Sequence, residues 1–317
     1  MAIAILAAIL ISAALLPLLP TDRWWIRILD FPQAQIAALL LLLTLAVPLI
    51  VSLRRPFGLV LLAALGATLA YQLQYLLRYT PLWPTEVPDA AKCSPENQVR
   101  VLVLNVKEHD PANPEALELV RRLQPDLFLA VETEPEWLRR MAPLRRHFRH
   151  VVAATRPDEW GMTLFSRLPL IGPEVRYLVA NYVPSLKTGV RLRSGAEIDL
   201  YALHPKPPLM HGTQRRNAEL LRAGREIAQK EKPALLAGDL NDVPWSYTIN
   251  RFSDMTGMGD PRVGRAFDAT FWLAPLVGWP IDHVYATRDF KLTFFDPLQD
   301  VGSDHLPLLA GFCLSRA

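Results

Sequence analysis

Apolar positions along this chain fall into two regimes. Up to about residue 80 they come in long runs, and from residue 97 onward in short runs broken by turns. Ala2 to Leu19 is apolar apart from Ser12. Ala34 to Leu53 is apolar apart from Gln35, Thr44 and Ser52, and Phe57 to Leu77 meets its first glutamines at Gln72 and Gln74. A helix that crosses a bilayer needs about 20 such residues, so the pattern predicts three transmembrane helices. The first run lacks a basic start and a small-x-small cleavage site, which argues against a cleaved signal peptide. Trp24 and Trp25 follow the first run, and Tyr79 and Trp83 follow the third, where amphipathic rings suit a membrane–water boundary. Arg54-Arg55 occupies the tight turn between runs two and three. Placing that turn in the cytoplasm puts the N-terminus inside and everything after Leu77 outside, with Arg23 and Arg27 weighing the other way. Residues 81–96 carry four prolines and read as a linker.

The rest of the chain alternates strand and helix patterns. Val99 to Val106 is apolar on both faces, as in a strand covered on two sides, with Asn105 at its end. Asn113 to Leu123 has an Asn cap, a proline in its first turn and helical spacing. Asp126 to Glu132 is a second strand, ending in a carboxylate. Pro135 to Arg149 is basic and partly helical. Gly161 to Leu170 and Lys187 to Arg193 begin a run of strands, and Glu197 to His204 ends in a histidine. Gln214 to Lys230 reads as a helix. Ala234 to Ala237 is a buried strand broken by Gly238; Asp239 and Asn241 follow, and residues two apart in an extended chain point the same way. Segments 269–272, 281–285, 290–295 and 308–314 complete an α/β domain.

Composition narrows the chemistry. Of 317 residues 51% are hydrophobic, and Lys+Arg 34 against Asp+Glu 31 leaves a net charge of +3. That balance gives no charge argument for nucleic acid. Two cysteines make neither a disulfide scaffold nor a zinc cage. No Gly-x-Ser-x-Gly elbow and no Walker loop occurs. What remains is a series of strand ends bearing Asn105, Glu132, His204, Asp239, Asn241, Asp282, Asp304 and His305. Carboxylate and amide oxygens suit a hard cation, and a histidine beside a carboxylate transfers protons near neutral pH. Phosphoester cleavage needs both, because charge gathers on phosphoryl oxygens in its transition state.

Taken singly these residues have plainer readings. Gly-Asp-x-Asn is equally a turn with Asx caps, Glu132 a surface carboxylate, His204-Pro205 a turn. In Asp282-His283 the aspartate reads as functional and the histidine as structural. His109, His147, His150 and His211 show no partner pattern and read as solvent-side. Arg121-Arg122, Arg139-Arg140 and Arg145-Arg146 read as solvated helix faces, with anionic headgroups as the alternative.

The ordered set, most specifically Ser303-Asp304-His305, Gly238-Asp239-Leu-Asn241 and Ile281-Asp282-His283, resembles the endonuclease/exonuclease/phosphatase superfamily of metal-dependent phosphoesterases over about residues 97–317. The resemblance implies a four-layer α-β-β-α sandwich at 97–317, preceded by the three-helix transmembrane region at 1–80 and the Pro-rich linker at 81–96. It implies Glu132 as the main divalent-metal ligand, with Asn105 beside it and Asp304 holding metal or its waters; Mg²⁺ is the implied ion, with Mn²⁺ as an alternative. His305 would move a proton, oriented by Asp282. Asp239 would activate the attacking water, Asn241 would stabilise the pentacovalent phosphorus, and His204 would donate to a phosphoryl oxygen. Lys107 stands where many members carry an acidic or amide residue, which puts a second metal in doubt; it meets a phosphate or is a solvated lysine. Cys93 precedes the first strand and Cys313 lies on the last; these strands are neighbours in that fold, so a disulfide is implied, two separate thiols being the alternative.

The chain is also similar to membrane members of the superfamily, the teicoplanin-resistance-type proteins, whose implied substrates are polyprenyl pyrophosphates. The expectation is therefore a multi-pass enzyme of a bacterial cell membrane with its catalytic domain outside the cytoplasm. Its partners would be the lipid bilayer and a phosphorylated, lipid-linked substrate. An extracytoplasmic nuclease acting on nucleic acid is the first alternative, and a non-catalytic membrane protein the second.

Overall fold

The computed structural model describes residues 1–107, 114–210, 212–275 and 277–315. The N-terminal runs form helices α1 (Ala2–Leu15), α3 (Gln33–Ile50) and α4 (Pro56–Arg78), with a short α2 (Trp24–Arg27) between the first two. Among the described residues, α3 and α4 are the helices long and apolar enough to cross a membrane. α1 stops short of the span expected for Ala2–Leu19 and continues as a 3₁₀ turn, Leu16–Leu18. Pro17 explains this: its nitrogen has no hydrogen for the helical ladder, and its ring crowds the carbonyl four residues back. The three helices pack around Leu40, Val47 and Leu65, all buried, while Leu42, Leu45, Leu49 and Val60 face outward.

The α/β part runs β1 (Gln98–Asn105), α5 (Pro114–Leu123), β2 (Leu127–Val131), α6 (Pro135–Arg140), β3 (His150–Ala154), β4 (Met162–Ser166), β5 (Leu170–Arg176), β6 (Ser185–Arg191), β7 (Glu197–Ala202) and α7 (Gly212–Lys230). It continues with β8 (Ala234–Asp239), α8 (Tyr247–Thr256), β9 (Phe271–Ala274), β10 (Val277–Trp279), β11 (Asp282–Ala286), β12 (Phe290–Pro297) and β13 (Leu308–Leu314). Asn113, the expected cap of α5, lies outside the described residues, as do His109 and His211.

The strands make two mixed sheets, ordered β12-β13-β1-β2-β4-β3 and β11-β8-β7-β6-β5, and a small β10-β9 hairpin. Successive side chains point to opposite faces of a strand, and here both faces are covered. Val99, Val101 and Val103 of β1 meet Leu200, Leu235 and Ala237 of the other sheet in one shared core. Leu102 and Leu104 face away, toward Leu119 and Val120 of α5 and Trp137 of α6. Tyr201 and Leu236 likewise face Leu220 of α7 and Phe252 of α8. This is why the strands read as unbroken apolar runs rather than as alternating ones.

Residues 81–96 do not hang free between helix and domain. Val87 is buried, Leu292 N–H donates to the Pro88 carbonyl at 2.8 Å, and Ala90 N–H donates to the Leu292 carbonyl at 2.7 Å. Cys93 is disulfide-bonded to Cys313 of β13, their Cα atoms 5.9 Å apart. The ends of the apolar helices also dock on the domain. Phe31 and Tyr79 share a core with Val243, Trp245, Val263 and Ile281.

Candidate active site

Strand register assembles the site. β1 and β2 are parallel with Asn105 level with Val131, so Glu132, one residue on, leaves its strand beside Asn105. β7 and β8 are parallel with Ala202 level with Ala237, so two residues later His204 stands level with Asp239. β11 runs antiparallel to β8 with Asp282 opposite Asp239. Side chains from both sheets therefore converge at the carboxyl ends of the parallel strand pairs, where ligands of open α/β sheets bind.

The backbone bends sharply at these points. Glu132 and Asn241 have φ of 61° and 49°, a region that residues other than glycine seldom visit and that clusters at functional sites. Gly238 has φ of 143°, and a Cβ there would lie 1.9 Å from the Leu203 carbonyl oxygen. Only glycine lets β8 and the residue before His204 approach so closely.

Asn105 is the buried hub. Its Nδ2 donates to Glu132 Oε1 at 2.7 Å and to Asp239 Oδ2 at 3.1 Å, while its Oδ1 accepts Lys107 N–H at 2.9 Å. Asp239 Oδ2 also lies 3.7 Å from His204 Nε2 and 3.8 Å from His305 Nε2. Burial raises Asp239 to about 6, against the pull of His305. Burial lowers His204, keeping its imidazole neutral, and its ring rests 5.5 Å from that of Trp160. His305 Nδ1 is 2.8 Å from Asp282 Oδ2. Burial would depress His305, but Asp282 and then Asp239 outweigh it and raise the imidazole to about 10. Asn241 takes a different posture: its N–H donates to Asp239 Oδ1 at 2.8 Å and its Nδ2 to the Pro205 carbonyl at 3.0 Å.

Seven of the eight expected site residues are thus joined by direct contacts. Asp304 stands at the edge, with its side chain 40% exposed and its Oδ2 3.7 Å from Lys107 Nζ. Lys107, for which a phosphate or solvent was expected, pairs with that carboxylate. His283 occupies the structural place expected of it: Nε2 lies 2.8 Å from the Asp242 carbonyl, Nδ1 contacts Arg262, and burial holds it well below its usual range.

Oxygen donors dominate, which suits a hard divalent cation. Asp239, Asp282 and His305 each offer a ligand atom within 4.8 Å of the others, and Asp282 Oδ1 is buried without a hydrogen-bond partner. The carboxylate oxygens of Asp239 and Asp282, with that unpartnered Oδ1, suit a divalent cation.

Three supporting residues gave little sign in the sequence. Arg216 of α7, fully buried, donates to the Asn241 carbonyl at 2.9 Å and pairs with Asp242 at 3.1 Å, holding the loop after β8. Among the many polar residues of its helix it looks like any solvated arginine. Phe271 covers the His305 ring at 5.0 Å, and Trp245 anchors the far end of the Asp239 loop by donating to the Asp30 carbonyl at 2.6 Å. Of the three, Trp245 alone carries a local signal: with Pro244 it closes the turn after Asn241.

Residues 103–305 match the model of the Endonuclease/Exonuclease/phosphatase family. No curated protein matches the chain at a significant level. Among solved structures, humanized D. rerio TDP2 carrying 14 mutations is similar at TM-score 0.57 and 13% identity, covering 68% of this chain and 99% of that one. The human Nocturnin catalytic domain with bound sulfate gives 0.54 and 18%, covering 68% and 94%. An endonuclease/exonuclease/phosphatase from Beutenbergia cavernae DSM 12333 gives 0.52 and 19%, covering 69% and 72%. At such identities the likeness is one of fold.

Proposed function

The chain belongs to the endonuclease/exonuclease/phosphatase family, whose members are metal-dependent phosphoester hydrolases, and on that premise we propose that it is a membrane-anchored enzyme cleaving a lipid-linked phosphate or pyrophosphate outside the cytoplasm. In this reading 1–80 is a three-helix membrane region, 81–96 joins it to the domain, and 97–317 is a four-layer α-β-β-α sandwich.

One observation carries the proposal. The loop bearing Asp239 and Asn241 is bonded, through Trp245, to the backbone at Asp30, three residues before α3 begins. A site fixed at the foot of an apolar helix meets substrates lying at a bilayer surface, and confinement there raises their local concentration. The Cys93–Cys313 bond agrees with the outward side, because disulfides persist in oxidising compartments.

The geometry supports the following division of labour. Asp239, raised to about 6, is a base suited to taking a proton from the attacking water near neutral pH. His305, protonated and held by Asp282, gives a proton to the leaving oxygen. Neutral His204 donates from Nε2 to a phosphoryl oxygen, and Asn241, whose amide gives one hydrogen to Pro205, offers its second to an oxygen of the pentacovalent phosphorus. Glu132, Asn105 and Asp304 are the residues proposed to hold Mg²⁺, or Mn²⁺ in its place. When bound, the cation supplies Lewis acidity to a phosphoryl oxygen and acidifies coordinated water.

The nuclease reading has its own support, since D. rerio TDP2 complexed with single-strand DNA product shares the fold at TM-score 0.57. The net charge of +3 speaks against it, because nucleic-acid binding neutralises several phosphates with clustered basic residues. The test is phosphate release from liposomal polyprenyl pyrophosphate by the purified full chain with Mg²⁺. No release beside active cleavage of a soluble phosphodiester would reject the lipid reading.

A further inference from the structure

We propose that the rim of the site is itself a lipid-contacting surface. Trp272 and Leu273 of β9 and the loop after His204 sit in the headgroup layer on either side of the site, and the lipid-borne phosphate enters between them. This rests on the membrane reading and specifies the surface that reading leaves open.

The two segments flank one carboxylate. Asp239 Oδ2 lies 3.7 Å from His204 and 3.8 Å from His305. The loop leaving His204 ends in Leu209 and Met210, which are 57% and 71% exposed. The hairpin that covers His305 with Phe271 carries Trp272 and Leu273, which are 48% and 68% exposed. Single exposed apolar residues are ordinary. Two pairs of them bracketing a polar site are not.

Both segments are tied to the ends of the apolar helices. Trp279, opposite Phe271 in the hairpin, donates from Nε1 to the Phe31 carbonyl at 2.8 Å. The rings form a ladder: Phe31 to Trp279 at 5.6 Å, Trp279 to Phe271 at 6.2 Å and Phe271 to His305 at 5.0 Å. Three ring contacts thus lead from the approach to α3 to the candidate proton donor. On the other side Met210 shares a cleft of about 650 Å³ with Arg23, Trp24, Trp25 and Arg251. Indoles at a bilayer boundary, with guanidinium groups beside them, match the chemistry of an apolar layer topped by phosphates. A two-stranded hairpin has little stability of its own; the ladder holds its base and leaves Trp272 and Leu273 to the lipid.

Full-length protein reconstituted in liposomes tests this. Trp272→Ser with Leu273→Asp should lower kcat/KM on bilayer-embedded polyprenyl pyrophosphate by at least about tenfold, the lower end of the scale set by losing apolar burial of two side chains, and change turnover of soluble bis(p-nitrophenyl) phosphate by less than about twofold. A nitroxide on Leu273→Cys should be relaxed more by oxygen than by a water-soluble nickel chelate; both native cysteines are bonded, so the label is unique. Greater exposure to the nickel chelate overturns the proposal, and so does wild-type kcat/KM of the double variant on embedded lipid. Should the wild type cleave the soluble ester but no lipid, the substrate reading fails, and the nitroxide still decides where the hairpin lies.

Discussion

His305 and Asp282 reach each other across the two sheets: Asp282 opens β11 in one, His305 precedes β13 in the other, and Nδ1 meets Oδ2 at 2.8 Å. The carboxylate orients the ring and, with Asp239, holds it protonated against the effect of burial. Asp282→Asn keeps the shape and removes the charge. The expected result is a fall in kcat on a soluble phosphodiester of about a hundredfold or more, the usual scale for a positioned proton donor. The His305 titration, followed by NMR, should move down from about 10. An unchanged kcat would contradict the assignment.

Glu132 accepts from Asn105 at 2.7 Å and is the ligand proposed for the cation. A chelator should abolish turnover, with Mg²⁺ restoring it in the wild type. Glu132→Gln should stay about two orders of magnitude slower even at high Mg²⁺, because a neutral amide is a poor ligand for a hard ion. Near-normal rates for Glu132→Gln across a Mg²⁺ titration would rule this role out.

The Cys93–Cys313 bond spans 220 residues of sequence and fastens the segment before β1 to β13. Cys93→Ser with Cys313→Ala should destabilise the domain by about 2–4 kcal/mol, measured by denaturant unfolding. Thiol blocking of unreduced, membrane-purified protein should add no mass. Two blocked thiols would mean the bond is not made.

Glu219 of α7 is buried, and burial raises its carboxyl from 4.5 to about 8. Between those values the native state keeps a proton that the unfolded chain has released. Stability should therefore fall as pH rises through that window and level off above about 8. Glu219→Gln should remove that part of the slope and unfold later than the wild type at pH near 8. Parallel thermal midpoints for both proteins from pH 5 to 8 would contradict the placement.

Much of this was legible because local pattern and final environment agree. β1, β2, β7 and β8 read as strands covered on both faces, and both faces are covered. Asn105, Glu132, His204 and Asp239 sit where those runs stop, so strand ends alone pointed to them. What the pattern missed depends on contacts distant in sequence. Four prolines made 81–96 look like a free tether, yet the carbonyl of Pro88 and the N–H of Ala90 find Leu292 more than two hundred residues away. Arg216 is buried only because the loop after β8 folds over it. Of the β9–β10 hairpin only 269–272 showed as a segment; β10 has too few residues for a period, and the pair takes its place from Phe31. Asp304 carried the strongest motif and still lies at the edge of the cluster, since a motif fixes order along the chain and not the direction of a side chain.

The central claim is that this site serves a lipid-linked phosphate. The most direct measurement is a competition: full-length protein in liposomes containing polyprenyl pyrophosphate, with plasmid DNA at matched phosphate concentration, Mg²⁺ and physiological salt, following phosphate release and nicking in one reaction. The account predicts phosphate release from the lipid far faster than any strand scission. Salt-sensitive nicking of the plasmid with no phosphate released from the lipid would contradict it.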